Sequence, residues 1–127
     1  MGGRKKVKLK LLPMEFTVCQ VPEGTPPDLS MPFCFFARTD EETSLVCPTA
    51  LCPRQTVKRR DGWLALKILG PLDFSLIGIL AGIAGTLAEN GVPIFAVSTY
   101  DTDYVLFEKR YREPALKALA GAGFLFT

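Results

Sequence analysis

Between Trp63 and Thr127 the spacing of apolar residues runs strand, helix, strand, strand, helix, strand, and few folds accept that order. Trp63–Leu69 alternates, with Leu64, Leu66 and Ile68 on one face and Trp63, Ala65 and Lys67 on the other. Gly70-Pro71 ends that strand, and Asp73 and Ser75 are both competent helix N-caps. A helix then runs from about Leu76 to Glu89, stopped by Asn90-Gly91, which supplies a residue that tolerates positive φ. Pro93–Thr99 and Tyr104–Lys109 read as the next two strands. Glu113-Pro114 opens a second helix, with proline where its missing N–H costs nothing, and Gly121 and Gly123 close it before a last short strand over Phe124–Thr127. The order βαββαβ is the split-βαβ or ferredoxin-like unit, an α+β fold.

The first half repeats part of this pattern. Phe35–Val46 aligns without a gap on Phe95–Leu106, so that Phe35 matches Phe95 and Thr39 matches Thr99 at a constant offset of 60. Glu15–Val21 reads as the strand corresponding to Trp63–Leu69. Four prolines, Pro22, Pro26, Pro27 and Pro32, reduce the intervening helix to a loop, and Pro48 and Pro53 cut the second helix to a turn at Thr49–Leu51. The expected organisation is two tandem related units: a degenerate, helix-poor one over residues 1–60 and a complete one over residues 61–127. The degenerate unit lacks helices to cover its sheet and is not expected to fold alone.

The helix over Leu76–Leu87 is apolar nearly all round and rich in small residues: Gly78, Ala81, Gly82, Ala84 and Gly85. A one-faced surface helix would carry a polar stripe. Interior glycines each cost up to about 1 kcal/mol relative to alanine, so something is expected to approach closely. That something is either the sheet together with a second subunit, or a ligand set against backbone N–H groups near Gly78.

Composition excludes several functions. Net charge is +2, with the basic residues gathered in Arg4–Lys10 and Lys58–Arg60, which read as solvated strand ends and a linker rather than a nucleic-acid surface. Lys8 and Lys10 interrupt what would be the apolar core of an export signal, and the Met-Gly start lacks the hydroxyl residue of a myristoylation site. The longest apolar stretch, Phe74–Ala88, is shorter than the roughly 18 residues a membrane span needs, so a cytoplasmic protein is expected. Histidine is absent, which removes the commonest general base and leaves only an all-thiolate zinc site conceivable. Cys19, Cys34, Cys47 and Cys52 lack tight zinc spacing and read as reduced thiols, so neither a metal nor another cofactor is expected.

The stretch Ser98–Phe107, STYDTDYVLF, spends Asp101, Thr102 and Asp103 where Gly or Asn would make a cheaper turn. In a split-βαβ unit the first two strands run parallel, so the loop at Gly70–Gly78 and the hairpin at Tyr100–Asp103 lie at the same end of the sheet. The third strand pairs beside the first, which brings them closer. Asp103 shares parity with Val105 and Phe107, the side under the helices, and its carboxylate aims towards the helix N-terminus. Free N–H groups there attract an anion while Asp103 attracts a cation, and an amino acid carries both. Alternatively Asp103 caps that helix itself and leaves no site. Asp101 reads as part of the turn.

The run Ser75–Phe107 resembles an ACT domain, with Gly78 at the glycine of the D-x-P-G turn and Leu87–Ile94, LAENGVPI, at the helix end and second strand. Ser75 stands at the usual aspartate and Ile77 at the usual proline. GPLDFSLIG (Gly70–Gly78) followed by Val97–Tyr104, together with the start KLKLLPMEFTVCQV, resembles more narrowly the small bacterial paired-ACT family related to the CASTOR arginine sensors. The resemblance implies a non-catalytic amino-acid-binding regulatory protein, with ligand held between ACT units in a homodimer. Arginine is the candidate ligand that it suggests. It places the cationic head on Asp103, with backbone acceptors from Thr99 and Tyr100, and the main-chain end beside Ser75 and Gly78. The competing expectation is an interaction module that keeps the fold without a ligand. Catalysis is not expected: Asp101, Asp103 and Cys47 have reactive groups but no base partner or cofactor motif.

Overall fold

The computed structural model describes residues 7–69 and 78–127. Its elements are β1 (Lys8–Leu11), β2 (Phe16–Gln20), β3 (Phe35–Arg38), β4 (Thr43–Pro48), a 3-10 turn (Thr49–Leu51), β5 (Lys58–Ile68), α1 (Ile79–Glu89), β6 (Phe95–Ser98), β7 (Asp103–Glu108), a second 3-10 turn (Lys109–Tyr111), α2 (Arg112–Gly121) and β8 (Leu125–Phe126). The chain forms two compact units, Met14–Trp63, and Met1–Pro13 together with Leu64–Thr127. The cut expected at residue 60 ignores β1, which belongs with the C-terminal unit because it pairs with the end of β5.

In the C-terminal unit β6 pairs antiparallel with β7, and β7 pairs with β5, as the split-βαβ order requires. On its other side β5 pairs antiparallel with β1, in the register Leu9↔Ile68 and Leu11↔Leu66. The last strand, β8, pairs in parallel with β1. An N-terminal strand therefore takes the place beside β5 that the fourth strand of a bare βαββαβ unit would occupy. Leu69 N–H to Lys8 C=O (2.9 Å) and Leu125 N–H to Val7 C=O (3.0 Å) fasten it on both edges.

The helices close one face of this sheet. Ile79, Ile83 and Leu87 recur every fourth residue and form one buried stripe of α1, while Ala115 and Leu119 do the same for α2. They pack with Leu9, Leu64, Leu66, Ile68, Val105 and Phe107 into one core. The alternation of Leu64, Leu66 and Ile68 is thus a true inward face, but Ala65 on the opposite face is also only 1% exposed.

The Met14–Trp63 unit contains no α-helix and orders its strands β3-β4-β2-β5, the last contributed by Lys58–Trp63. The register of β2 on β5 slips between Phe16 and Val18, and the bulged strand carries Gly62 at φ +85°, a conformation that suits glycine. The two hairpins match in detail. Pairs Phe35↔Val46, Phe36↔Leu45, Ala37↔Ser44 and Arg38↔Thr43 recur, each shifted by 60, as Phe95↔Leu106, Ala96↔Val105, Val97↔Tyr104 and Ser98↔Asp103.

Candidate functional site

The β6–β7 hairpin closes without glycine because threonine does the closing. Thr99 gives its backbone N–H to Thr102 C=O at 2.8 Å, and its hydroxyl to the same oxygen at 3.1 Å. Only Tyr100 and Asp101 remain at the tip, and Tyr100 is 97% exposed. The other hairpin uses the same device, with Thr39 N–H on Glu42 C=O at 2.8 Å and Thr39 Oγ1 at 3.4 Å.

Thr102 is the residue that positions this hairpin. It is 7% exposed, and its hydroxyl donates to the carbonyl oxygen of Ile68 at the end of β5. A buried hydroxyl–carbonyl bond contributes about 1 kcal/mol, and here it ties the turn to the point where β5 gives way to the segment before α1. Hairpin and strand end do lie together, as the topology demands.

Asp103 begins β7, half-buried, on the same strand face as Val105 and Phe107. One carboxylate oxygen accepts the hydroxyl of Ser98, its cross-strand partner. Asp103 does not cap α1. The N-cap is Gly78, at φ +89°, and among the described residues no side-chain hydrogen bond caps the helix. Gly78 is exposed, a Cβ there would meet nothing within 4 Å, and its carbonyl accepts Gly82 N–H at 2.7 Å. Its glycine is required by conformation, not by crowding. The first N–H groups of α1 have no intrahelical acceptors, as at any helix start.

Ser75 and Asp73, the expected caps, and the expected first turn from Leu76 lie outside the described residues. Among the others, the structure joins Thr99 to Thr102 and Ser98 to Asp103, and leaves the Tyr100 side chain in solvent. Sequence reasoning passed over Ser98 and Thr102. A two-residue tip makes 99 and 102 the closing pair, so 98 must face 103; that count alone would have found Ser98. A carboxylate with a hydroxyl beside it can take an ammonium or guanidinium group. At the matching positions of the other hairpin stand Arg38 and Thr43, so no acid is offered there.

Among the described residues no helix is long and apolar enough to cross a membrane. No curated protein sequence matches the chain. Among solved structures, a protein of Agrobacterium tumefaciens is 30% identical, covering 96% of this chain and 92% of its own, with a TM-score of 0.86. A Vibrio cholerae protein of unknown function, described as a possible transport protein, is 20% identical over 91% of this chain and 89% of its own, with a TM-score of 0.67. The regulatory subunit of aspartate kinase from Thermus thermophilus, in its ligand-free form, shares the fold at 14% identity and a TM-score of 0.64, covering 94% of this chain and 99% of its own. The profile of the ACT domain matches residues 58–121, which takes in β5, both helices, the hairpin with Asp103 and Gly78: the chain belongs to the ACT domain family.

Proposed function

We propose that this chain is a non-catalytic regulatory protein that binds an amino acid, with the ligand held where ACT units of two protomers meet in a cytoplasmic homodimer. The observation that carries the reading is the Thr102–Ile68 bond, which fixes the hairpin bearing Asp103 at the end of β5 that leads to α1. Asp103 takes the cationic group of the ligand, with backbone acceptors from Thr99 and Tyr100. The carboxylate end lies by Gly78 and Ser75, against N–H groups at the start of α1 that no side chain among the described residues caps. A guanidinium or ammonium side chain suits a carboxylate already flanked by a hydroxyl, and arginine is the first ligand to try, in keeping with the sequence resemblance to the small paired-ACT proteins related to the CASTOR sensors. The shared fold of an aspartate kinase regulatory subunit supports regulation in place of catalysis.

The test is a thermal-shift panel of the twenty amino acids on protein freed of co-purified ligand by unfolding and refolding. One amino acid should raise the melting temperature, and Asp103→Ala should abolish that rise while the protein still folds. If none shifts the unaltered protein, the ligand reading falls. The alternative, a module that keeps the fold for protein contacts alone, is favoured by one observation: Ser98 already satisfies a carboxylate oxygen of Asp103. In that case Asp103→Asn changes stability with no ligand-dependent effect.

A further inference from the structure

The Met14–Trp63 unit gathers thiols that the hairpin site does not use. In the β2–β4 register Cys47 lies opposite Thr17 and Cys19 opposite Leu45, so Cys19 and Cys47 are diagonal neighbours on one face. The 3-10 turn Thr49–Leu51 is fastened to that face. Thr17 gives its single hydroxyl proton to Asp61 at 2.6 Å, so in the 2.9 Å contact between Thr17 and Thr49 it is Thr49 that donates. Cys52 N–H then closes the turn on Thr49 C=O at 3.1 Å. This brings the segment that carries Cys52 to the face of the two buried thiols, and Cys52 acts electrostatically on both. Cys52 directs its own S–H to Pro53 C=O at 3.5 Å. Among the described residues no group of three or more Cys, Asp or Glu is arranged to hold a metal ion, which turns attention to thiol chemistry.

The three thiols differ in access and in charge. Cys19 is 3% exposed and Cys47 is 0% exposed, whereas Cys52 is half-buried and reachable from solvent. Burial pushes the Cys19 thiol up to about 11 and the Cys47 thiol up to about 12, so both hold their protons at neutral pH. Arg59, the cross-strand partner of Cys19 and bonded to Asp61, acts electrostatically on Cys19 and favours its thiolate, while Asp61 opposes it. The groups that act on Cys47 are other thiols.

We propose that Cys52 and Cys19 are a reversible dithiol, oxidised by exchange with a low-molecular-weight disulfide. The Cys52 thiolate attacks that disulfide, whose S–S bond breaks; a mixed disulfide forms and one small thiolate leaves. Cys19 then loses its proton and attacks the Cys52 sulfur, expelling the second small thiolate. Two cysteine thiols are oxidised and one small disulfide is reduced to two thiols, which take up the protons that Cys52 and Cys19 released. Cys52 reacts first because solvent reaches it, and Cys19 resolves because Arg59 supports the charge it must carry. The bond would staple β2 to the segment after the 3-10 turn. None of this depends on the amino-acid reading of the hairpin.

The probe is oxidised glutathione, added to the folded full chain, followed by alkylation and peptide mapping without reduction. The expected product is a peptide pair joining Cys19 to Cys52, with the mass lost by removing one hydrogen from each thiol, reversed by dithiothreitol. In Cys19→Ala the glutathione should stay on Cys52 as a stable adduct, and in Cys47→Ala the Cys19–Cys52 bond should still form. A bond from Cys52 to Cys47, a glutathione adduct that persists on Cys52 of the unaltered chain, or no reaction at Cys52 overturns the proposal. The map of the unaltered chain decides the matter even where a variant fails to fold.

Discussion

Cys47 sits fully buried opposite Thr17, and burial, with the neighbouring thiols Cys52, Cys19 and Cys34, pushes its thiol up to about 12 from an ordinary 9.0. A raised thiol binds its proton more tightly folded than unfolded. Its contribution to stability is therefore complete below pH 9.0 and is lost as pH rises from there towards about 12. Each pH unit in that window removes up to about 1.4 kcal/mol per such thiol. Urea unfolding followed at increasing pH should show Cys47→Ala losing stability less steeply than the unaltered protein above pH 9.0; equal slopes would mean that Cys47 titrates as in the unfolded chain. That Cys19 and Cys47 are buried and reduced could be read from their apolar neighbours in the sequence. That they share a face with Cys52 could not, because it depends on the β2–β4 register and on the Thr17–Thr49 bond, both set by long-range pairing. Thr102 escaped for a similar reason: a threonine inside a turn looks solvated until its hydroxyl finds the carbonyl of Ile68.

Helix α1 shows which features survive from local pattern into structure. Its spacing and its stop at Asn90-Gly91 were readable, and so was the inward stripe of Ile79, Ile83 and Leu87. The described helix starts at Ile79 behind a left-handed Gly78, a start that propensity does not announce because it rests on backbone conformation. Strand β1 has no bounds in the sequence reading: the charges of Arg4–Lys10 read there as solvated strand ends and a linker, although Lys8 and Lys10 alternate with Leu9 and Leu11. That alternation becomes a strand only once Leu66–Ile68, far along the chain, arrives to pair with it. The small residues of α1 remain to be explained. Gly85 is exposed, and a Cβ there would meet nothing within 4 Å, so nothing in its own chain demands glycine. For a solvated face, Gly85→Ala should stabilise the protein by about 0.5–1 kcal/mol, seen as a higher urea midpoint at unchanged slope. If a second copy packs there, the same substitution instead lowers the midpoint and shifts native mass spectra towards monomer.

The two hairpins of the chain have one geometry and different chemistry. Their strand registers agree pair for pair at an offset of 60, and each is closed by a threonine that gives both N–H and hydroxyl to the residue three positions on. Yet the pair that is Ser98 and Asp103 in one hairpin is Arg38 and Thr43 in the other. A carboxylate that attracts a cation has become a hydroxyl, and beside it stands a guanidinium that repels one. If the amino-acid reading is right, the hairpins divide their work and only the Asp103 hairpin holds a ligand with a cationic side chain. Native mass spectrometry with arginine as probe should then show one ligand per chain, two per dimer, and none with Asp103→Ala. Two ligands per chain would show that the Arg38 hairpin binds as well, without an acid at the matching position.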